Sequence, residues 1–262
     1  MTRCIVLLAV VLGCVQAFAA DEPPARNGEI VDTAGVKTTL TEFNYRDPNV
    51  GIFDGGHDAV ALFTNAQGTG MEIMIPNAAI SSITFDGGVA EVKYRVRGSD
   101  ATLKGRWALK GLFYGHSDGK FVQFPDFKVK TATFTTPPSG NDAPLPTLGS
   151  TMVLTDGSSV KIAGLNRQSI QQIGRITYFL HFDDMRYTPP GASDFTTTKL
   201  ADIASIELGN GDDVVVTLKS GTKAAGKLPT GQIHSCLGFT GICDLGPFRI
   251  DRTQVKSIQL GP

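Results

Sequence analysis

Apolar and polar residues alternate with a period of two in a stretch that recurs four times along the chain. The copies, aligned without gaps, are MEIMIPNAAISSITF (71–85), KFVQFPDFKVKTATF (120–134), DFTTTKLADIASIEL (194–208) and GPFRIDRTQVKSIQL (246–260). Ile80, Val129, Ile203 and Val255 share one column, and Ile83, Ala132, Ile206 and Ile258 share another. Such alternation, beside Gly, Pro and Thr, favours strands over helices. Each copy predicts a strand, a short turn-like stretch and a second strand.

A second alternating element precedes each copy. Its four counterparts are EIVDTAGVKTTLTEF (29–43), VKYRVRGSDATLKGRW (92–107), STMVLTDGSSVKIAGL (150–165) and VVVTLKSGTKAAGKL (214–228). Ala-Gly, Asp-Gly and Ser-Gly supply the positive-φ residue that tight hairpin turns require. The chain is therefore predicted to be all-β, with four tandem double-hairpin units at about 28–85, 88–134, 150–208 and 212–260.

One segment, 135–148 (TTPPSGNDAPLPTL), interrupts the repeats. Its four prolines favour extended, solvated backbone, as in a linker between domains. It divides the chain into two similar lobes, 28–134 and 150–260. Two units together supply about eight strands, enough for a small barrel or sandwich. A single four-unit sheet or solenoid is the alternative architecture.

The first 19 residues have the three-part pattern of a secretory signal peptide. Arg3 supplies the positive start, Ile5–Leu12 the apolar run, and Ala17–Ala19 an Ala-x-Ala site that predicts cleavage after Ala19. The run is shorter than the roughly 20 residues of a transmembrane anchor, and no later segment qualifies. Alternatively, residues 11–14 (VLGC) resemble a lipobox that would anchor the chain through Cys14. The pattern predicts a secreted or periplasmic protein.

Composition removes several classes of protein. The chain has 262 residues and is 41% hydrophobic, which is too apolar for a disordered chain. Loss of Arg3 with the signal peptide leaves 23 basic residues, from 24, against 25 acidic ones, a net charge of −2. A dedicated nucleic-acid binder needs a clustered excess of Lys and Arg, so no nucleic-acid partner is expected.

The phrase VTLKSGTKAAGKL, followed by a strand ending in VKSIQL, resembles units of uncharacterised exported bacterial β-repeat proteins. It is more loosely similar to the strand-turn-strand core of small SH3-like and Sm-like barrels. Sm-like proteins bind RNA. That function is not carried over to this chain, because the sequence is near neutral, has an export signal and lacks a basic stripe.

Cys236 and Cys243 remain after signal cleavage, seven positions apart, and flank the turn-like sequence Leu-Gly-Phe-Thr-Gly-Ile. In an oxidising compartment this pattern predicts a structural disulfide. A redox pair and half of a metal site are the alternatives. The spacing is not Cys-x-x-Cys, and no second cysteine pair exists to complete a zinc site.

The third unit contains extra sequence, ITYFLHFDDMRYTPPGA (176–192). Aromatic side chains beside acids and arginine suit sugar stacking or a protein interface. The candidate binding residues are Tyr178, Phe179, His181, Phe182, Asp183, Asp184, Arg186 and Tyr187. In the alternative interpretation, ITYFLHF is a longer core strand and DDMRYTPPGA its exposed turn.

Signals for catalysis are weak. His57, His116 and His181 stand near acids, a combination used for zinc binding and for general acid–base chemistry. The repeat alignment places His116 on Ile242, so that position does not require a ligand. The chain has neither a Gly-x-Ser-x-Gly elbow nor a phosphate-binding loop. No catalytic residue, metal or cofactor is predicted.

Two classes of function remain. The favoured one is a noncatalytic exported or periplasmic binding or scaffold protein, which contacts a protein or glycan through loops on the repeated β units. The alternative is a metal-dependent or carboxylate-based hydrolase with an extracytoplasmic substrate. It would use His181, Asp183 and Asp184 with a histidine from another unit.

Overall fold

The computed structural model describes residues 26–46, 59–64, 70–108, 111–138, 146–173, 176–231 and 233–261. Within these ranges the regular structure consists of strands and three-residue 3₁₀ helices, which confirms the all-β class. The predicted signal peptide with Cys14, His57, and residues 139–145 of the predicted linker lie outside the described residues.

Strands run through both halves of the chain. In the first half they are β1 (Gly28–Asp32), β2 (Lys37–Arg46), β3 (Ala59–Phe63), β4 (Glu72–Pro76), β5 (Ile80–Asp86), β6 (Val89–Val96), β7 (Ser99–Trp107), β8 (Leu112–Ser117), β9 (Lys120–Pro125) and β10 (Val129–Phe134). In the second half they are β11 (Ser150–Leu154), β12 (Ser159–Ile173), β13 (Ile176–Phe182), β14 (Asp184–Tyr187), β15 (Thr196–Lys199), β16 (Ile203–Leu208), β17 (Asp213–Leu218), β18 (Lys223–Lys227), β19 (Gly238–Cys243), β20 (Gly246–Asp251) and β21 (Val255–Gln259). The 3₁₀ helices are Asn77–Ala79, Asp126–Lys128, Leu200–Asp202 and Arg252–Gln254.

Each copy of the repeated stretch folds as a strand, a 3₁₀ helix and a second strand, as predicted. The column Ile80, Val129, Ile203 and Val255 directly follows the 3₁₀ helix and is at most 2% exposed in every copy. The column Ile83, Ala132, Ile206 and Ile258 is fully buried. The two columns are three positions apart, which a regular strand would place on opposite faces. A register shift between them in β5, β10, β16 and β21 marks a β-bulge that turns both columns to the core.

The two units of each lobe exchange strands. β1 of the first unit pairs with β10 of the second, β6 of the second unit pairs with β5 of the first, and β5 pairs with β10. The second lobe repeats this arrangement, with β11 on β21, β17 on β16, and β16 on β21. Each unit therefore completes its sheet with strands of its sister unit.

A glycine lies wherever the second strand of one unit crosses the third strand of its sister. These crossings join β2 with β8, β7 with β3, and β12 with β19, while β18 meets the chain after β14 through the bridge Thr188↔Lys227. A Cβ atom on the crossing glycine would come within 2.8 Å of, or overlap, the facing carbonyl oxygen. The glycine and carbonyl pairs are Gly115 with Thr41, Gly105 with Phe63, Gly241 with Ala163, and Gly226 with Thr188. Only glycine permits these strands to approach so closely.

The lobes are joined by β4 and β20, which pair antiparallel. Glu72 and Arg249 face each other there, and their salt bridge is 2.6 Å from Nη2 to Oε2, although Glu72 is almost fully buried. Buried apolar residues of both lobes form one cluster. The sheets are large and antiparallel, and they are not closed.

The predicted disulfide between Cys236 and Cys243 is not formed, and both thiols are free and buried. The turn-like sequence between them is strand β19. At about 3.3 Å per residue, the five steps from Gly238 to Cys243 span about 16 Å. Cys236 lies two residues earlier and can return by at most about 7 Å, so the two cysteine Cα atoms are at least about 9 Å apart, whereas a disulfide requires them within about 7 Å. Burial raises the pKa of the Cys236 thiol to about 12 and also raises the pKa of Cys243.

Replacing Gly105 with alanine is expected to lower the free energy of unfolding by about 1–3 kcal/mol, the usual cost of overpacking. The new methyl group would overlap the carbonyl oxygen of Phe63. Gly149→Ala is the matched control, because a Cβ there lies 4.0 Å from its nearest neighbour, the carbonyl oxygen of Thr147. Urea unfolding followed by circular dichroism measures both variants. Equal stabilities would contradict the steric role of the crossing.

Both cysteines of the protein lacking residues 1–19 are expected to resist iodoacetamide near neutral pH. A protonated, buried thiol is a poor nucleophile, and the raised pKa values keep both thiols protonated. Denaturation without reductant should then allow both to react, which intact-mass spectrometry counts. A denatured chain that takes up label only after reduction would show the disulfide instead.

Candidate functional site

The extra segment of the third unit forms parts of two different sheets. β13 pairs with β12 along its whole length, from Ile173↔Ile176 to Arg167↔Phe182. After the single residue Asp183, the chain enters β14, which pairs with β15 in a separate two-stranded sheet. Neighbouring residues of this segment therefore have different surroundings.

Arg167 on β12 is fully buried, and Asp184 on β14 balances its charge. Arg167 Nη2 and Nε donate to Asp184 Oδ1 at 2.7 and 3.2 Å. Arg167 Nη1 donates to the carbonyl oxygen of Ser235 at 2.6 Å. A buried cation needs such partners, because removing a charge from water costs several kcal/mol. The guanidinium thus holds β12, β14 and the segment before β19 together.

Arg186 brings a second cation to the same carboxylate. Its Nη2 donates to Asp184 Oδ2 at 3.3 Å, and its Nη1 lies 2.6 Å from His234 Nδ1. A guanidinium can only donate hydrogen bonds, so His234 Nδ1 accepts and the ring proton is on Nε2. Two guanidinium groups facing one carboxylate give the cluster a net positive charge.

Aromatic rings cover the two guanidinium groups. Phe182 lies 4.5 Å from the Arg167 guanidinium carbon and 5.2 Å from that of Arg186. Phe195 lies 5.4 Å from the Arg186 guanidinium and 4.7 Å from the His234 ring. Contacts of this kind contribute about 0.5–2 kcal/mol each.

Two exposed apolar residues adjoin the cluster, one by contact and one in the sequence. Phe195 is 39% exposed, and Ile233, which precedes His234 in the chain, is 37% exposed. We call Arg186, Phe195, Ile233 and His234 the Arg186 patch. Asp184, buried beside it, fixes the position of its arginine.

Three of the eight predicted binding residues meet in this cluster: Phe182, Asp184 and Arg186. The other five have separate surroundings. The Phe179 ring faces Arg249 at 5.4 Å, and His181 Nδ1 lies 3.0 Å from the Thr240 hydroxyl. Asp183 pairs with Lys199, and Tyr187 is buried. Tyr178 lies opposite Gln171 on the β12–β13 ladder, and its side chain is outside the described atoms. The segment thus contributes to the site only through residues 182–186.

Asp183 is exposed, unlike its neighbour Asp184. It pairs with Lys199 at 2.7 Å. This hydrogen bond lowers the pKa of Asp183 and raises the pKa of Lys199. Adjacent carboxylates therefore have different roles, one at the surface and one within the fold.

Arg167 and Phe195 were not identified from the sequence, and His234 was not assigned to a site. A charged residue within the alternating β12 sequence is the only local signal for Arg167. Its partners lie 17 residues away at Asp184 and 68 residues away at Ser235, so no spacing motif connects them. Phe195 shares a repeat column with Phe121, which was a signal available in the alignment.

Within the described part of the chain, no group of three His, Cys, Asp or Glu side chains is arranged to hold a metal ion. His116 lies in the first lobe, 3.1 Å from Glu42. His181, Asp183 and Asp184, the residues of the hydrolase alternative, contact three different partners. Among the described residues, no helix has the length and apolar character needed to cross a membrane.

A groove of about 590 Å³ lies beside the turn that follows β14. Its walls come from residues 188–192 and from β16, β17 and β18, and they are mostly apolar. Lys227 and Asp213, which both line it, form an ion pair at 2.7 Å. The groove provides space next to the extra segment of the third unit, and Lys227, which lines the groove, is already in an ion pair.

A scan against protein-family models found no match, and searches of curated proteins and of solved structures found no similar protein.

Replacing Asp184 with asparagine is expected to lower the free energy of unfolding by about 3–5 kcal/mol, because the charge of Arg167 would remain buried without a counterion. Asp183→Asn is the matched control. It makes the same chemical change one residue earlier, in an exposed pair, and should unfold close to the parent protein. Chemical denaturation at neutral pH compares the three proteins. If both variants unfold alike, the buried pair does not hold this region together.

Proposed function

We propose that the protein is a noncatalytic exported or periplasmic scaffold that binds a protein partner through the Arg186 patch. The observation that carries this proposal is the exposure of Phe195 and Ile233, at 39% and 37%, beside a charged cluster fixed by hydrogen bonds. Exposed apolar surface rimmed by polar groups is typical of protein interaction sites.

Contacts within the protein hold the Arg186 side chain in place without a partner. Arg186 is held by Asp184 on one side and by His234 on another, with Phe182 and Phe195 against its guanidinium. Groups that are already ordered lose less conformational entropy on binding. Arginine and aromatic side chains are also the residue types that most often dominate binding energy at protein interfaces.

The polar groups of the cluster are better suited to positioning than to proton transfer. Both carboxylate oxygens of Asp184 accept hydrogen bonds from arginines, and His234 Nδ1 accepts one from Arg186. A general acid or base must instead reach the proton that it transfers. This pairing supports recognition over the hydrolase alternative.

A protein partner fits this surface better than a glycan. Sugar rings stack on an open aromatic face, whereas Phe195 already contacts the tilted His234 ring and the Arg186 guanidinium. An apolar side chain from a partner could instead pack against the exposed part of Phe195. The signal-like pattern of residues 1–19 supports the proposal that this contact occurs outside the cytoplasm.

A photo-crosslinking amino acid at position 195, in cells that produce the protein, should give a discrete adduct whose partner mass spectrometry identifies. The same group at Val36, a 58% exposed position in the first lobe, is the control and should give no such adduct. The identified partner should bind the Phe195→Ser, Ile233→Ser double variant at least about tenfold more weakly, which is about 1.4 kcal/mol.

Val36→Ser should leave that affinity unchanged. The proposal fails if position 195 gives no adduct above the level at position 36. It also fails if the double variant, shown to be folded by circular dichroism, binds the partner as tightly as the parent protein does.

A further inference from the structure

Four equivalent strands precede the four 3₁₀ helices: β4, β9, β15 and β20. Two of them, β4 and β20, pair with each other and join the lobes. In the portion of the chain that the structure describes, the other two are paired on one side only, β9 with β8 and β15 with β14. Among the described residues, the repeated fold therefore leaves two equivalent strand edges unpaired.

The β4–β20 contact is symmetric with respect to the repeat. Ile73 and Phe248 occupy the same repeat column and face each other. Glu72 and Arg249, one column before and one column after it, form the neighbouring pair. Such a register places a local twofold axis at the shared column. Val122 occupies this column in β9, and Thr196 occupies it in β15.

Side chains of β9 are more exposed than their counterparts in β4. Glu72 of β4 is 4% exposed, whereas Phe121, in the same column, is 56% exposed. Phe127, in the 3₁₀ helix directly after β9, is 75% exposed. The core-facing Val122 and Phe124 are only partly buried at this edge. An apolar open edge of this kind is a template for pairing with another strand.

β15 carries side chains that protect an edge instead. Thr196, Thr197 and Thr198 line it, and Lys199 ends it in an ion pair with Asp183. Charged and polar residues discourage pairing between chains. The two open edges are therefore equivalent in backbone and different in surface chemistry.

We propose that two copies of this chain form an isologous dimer by pairing β9 with β9, in the register of the β4–β20 contact. Val122 then faces the same residue of the second copy, and Phe121 lies opposite Gln123. Closed twofold dimers are the commonest homo-oligomers. The surface lies in the first lobe, so the proposal is independent of the Arg186 patch.

The main chain of β9 suits this pairing. The turn between β8 and β9 has two residues, Asp118 and Gly119, both with positive φ, as in a type I′ hairpin. Ser117 and Lys120 flank this turn as its hydrogen-bonded pair. Because hydrogen-bonded pairs alternate along a ladder, the N–H and C=O groups of Phe121 and Gln123 point away from β8. They are available to a second strand.

A Val122→Cys variant of the protein lacking residues 1–19 tests the register. Facing residues of a non-hydrogen-bonded antiparallel pair have Cα atoms about 4.5 Å apart, which a disulfide can bridge. The native cysteines are buried, so the introduced thiol is the accessible one. Mild oxidation should give a covalent dimer on a non-reducing gel.

Thr196→Cys, at the same column of β15, is the matched control and should remain monomeric. A Val122→Cys protein that stays monomeric overturns the proposal. Equal crosslinking of the two variants also overturns it, because it would show collision or use of the other edge.

Gln123→Pro tests the main-chain contact without an introduced thiol. Proline removes the outward N–H of residue 123, which the β8 ladder does not use. Sedimentation equilibrium should show the parent mass rising with concentration towards twice that of the monomer. The variant should dissociate at least about tenfold more readily, with unchanged circular dichroism.

Thr197→Pro, in the equivalent position of β15, should leave the association unchanged. A parent protein that is monomeric at every concentration would refute the β9 dimer. So would a folded Gln123→Pro variant that associates like the parent.

Discussion

The close approach of a glycine to the carbonyl oxygen of a sister unit is the contact on which each lobe depends. At Gly241 and Ala163, and at Gly105 and Phe63, no side chain fits between the crossing strands. These crossings bring the second strand of one unit onto the third strand of the other. The exchanged final strands, β5 with β10 and β16 with β21, can then lie side by side and bury their shared columns. A single unit has neither partner, so its apolar face would remain open to water.

The Arg186 patch follows from the same crossing. β12 pairs with β19 on both sides of an irregularity between Ala163 and Asn166, where Gly164 has a φ of +60°. A bulge changes which side chains of a strand face inward. Beyond it, β12 carries Arg167 into the protein interior, and the segment that leads into β19 supplies the carbonyl oxygen of Ser235. The backbone geometry of β12 thus places Arg167 in the interior, and Asp184 balances its charge there.

Local alternation predicted the strands, and the alignment of the four copies predicted the core columns. Alternation alone would place columns three positions apart on opposite faces, and a β-bulge in each copy brings both to the core. These patterns did not predict the strand exchange. β5 and β10 have the same apolar columns, so the pattern gives β1 no preference between them. The glycines near Cys236 and Cys243 were interpreted as turn residues, but Gly238 and Gly241 lie within a strand and permit close packing. A glycine in a sequence is equally compatible with a turn and with close packing inside a strand.

Prediction of the site was limited in the same way. The many aromatic and charged residues between 176 and 187 predicted a binding site that includes Asp184 and Arg186, and these two residues form an ion pair. Their partners Arg167 and His234 are far away in the sequence, and only the paired sheets bring them close. Local composition therefore indicates where a site can form. The long-range pairing of strands decides which of its residues contact one another.

Repetition and specialisation act on different parts of each unit. The backbone of the strand before each 3₁₀ helix is nearly the same four times, so each such strand has the geometry to pair along its outer edge. Side chains on that edge then determine its use. Glu72 and Arg249 complement each other and join the lobes, whereas Lys199 with Asp183 keeps β15 polar. Phe121 belongs to neither arrangement. An exposed aromatic ring on an unpaired strand edge lowers solubility, unless another strand covers that edge.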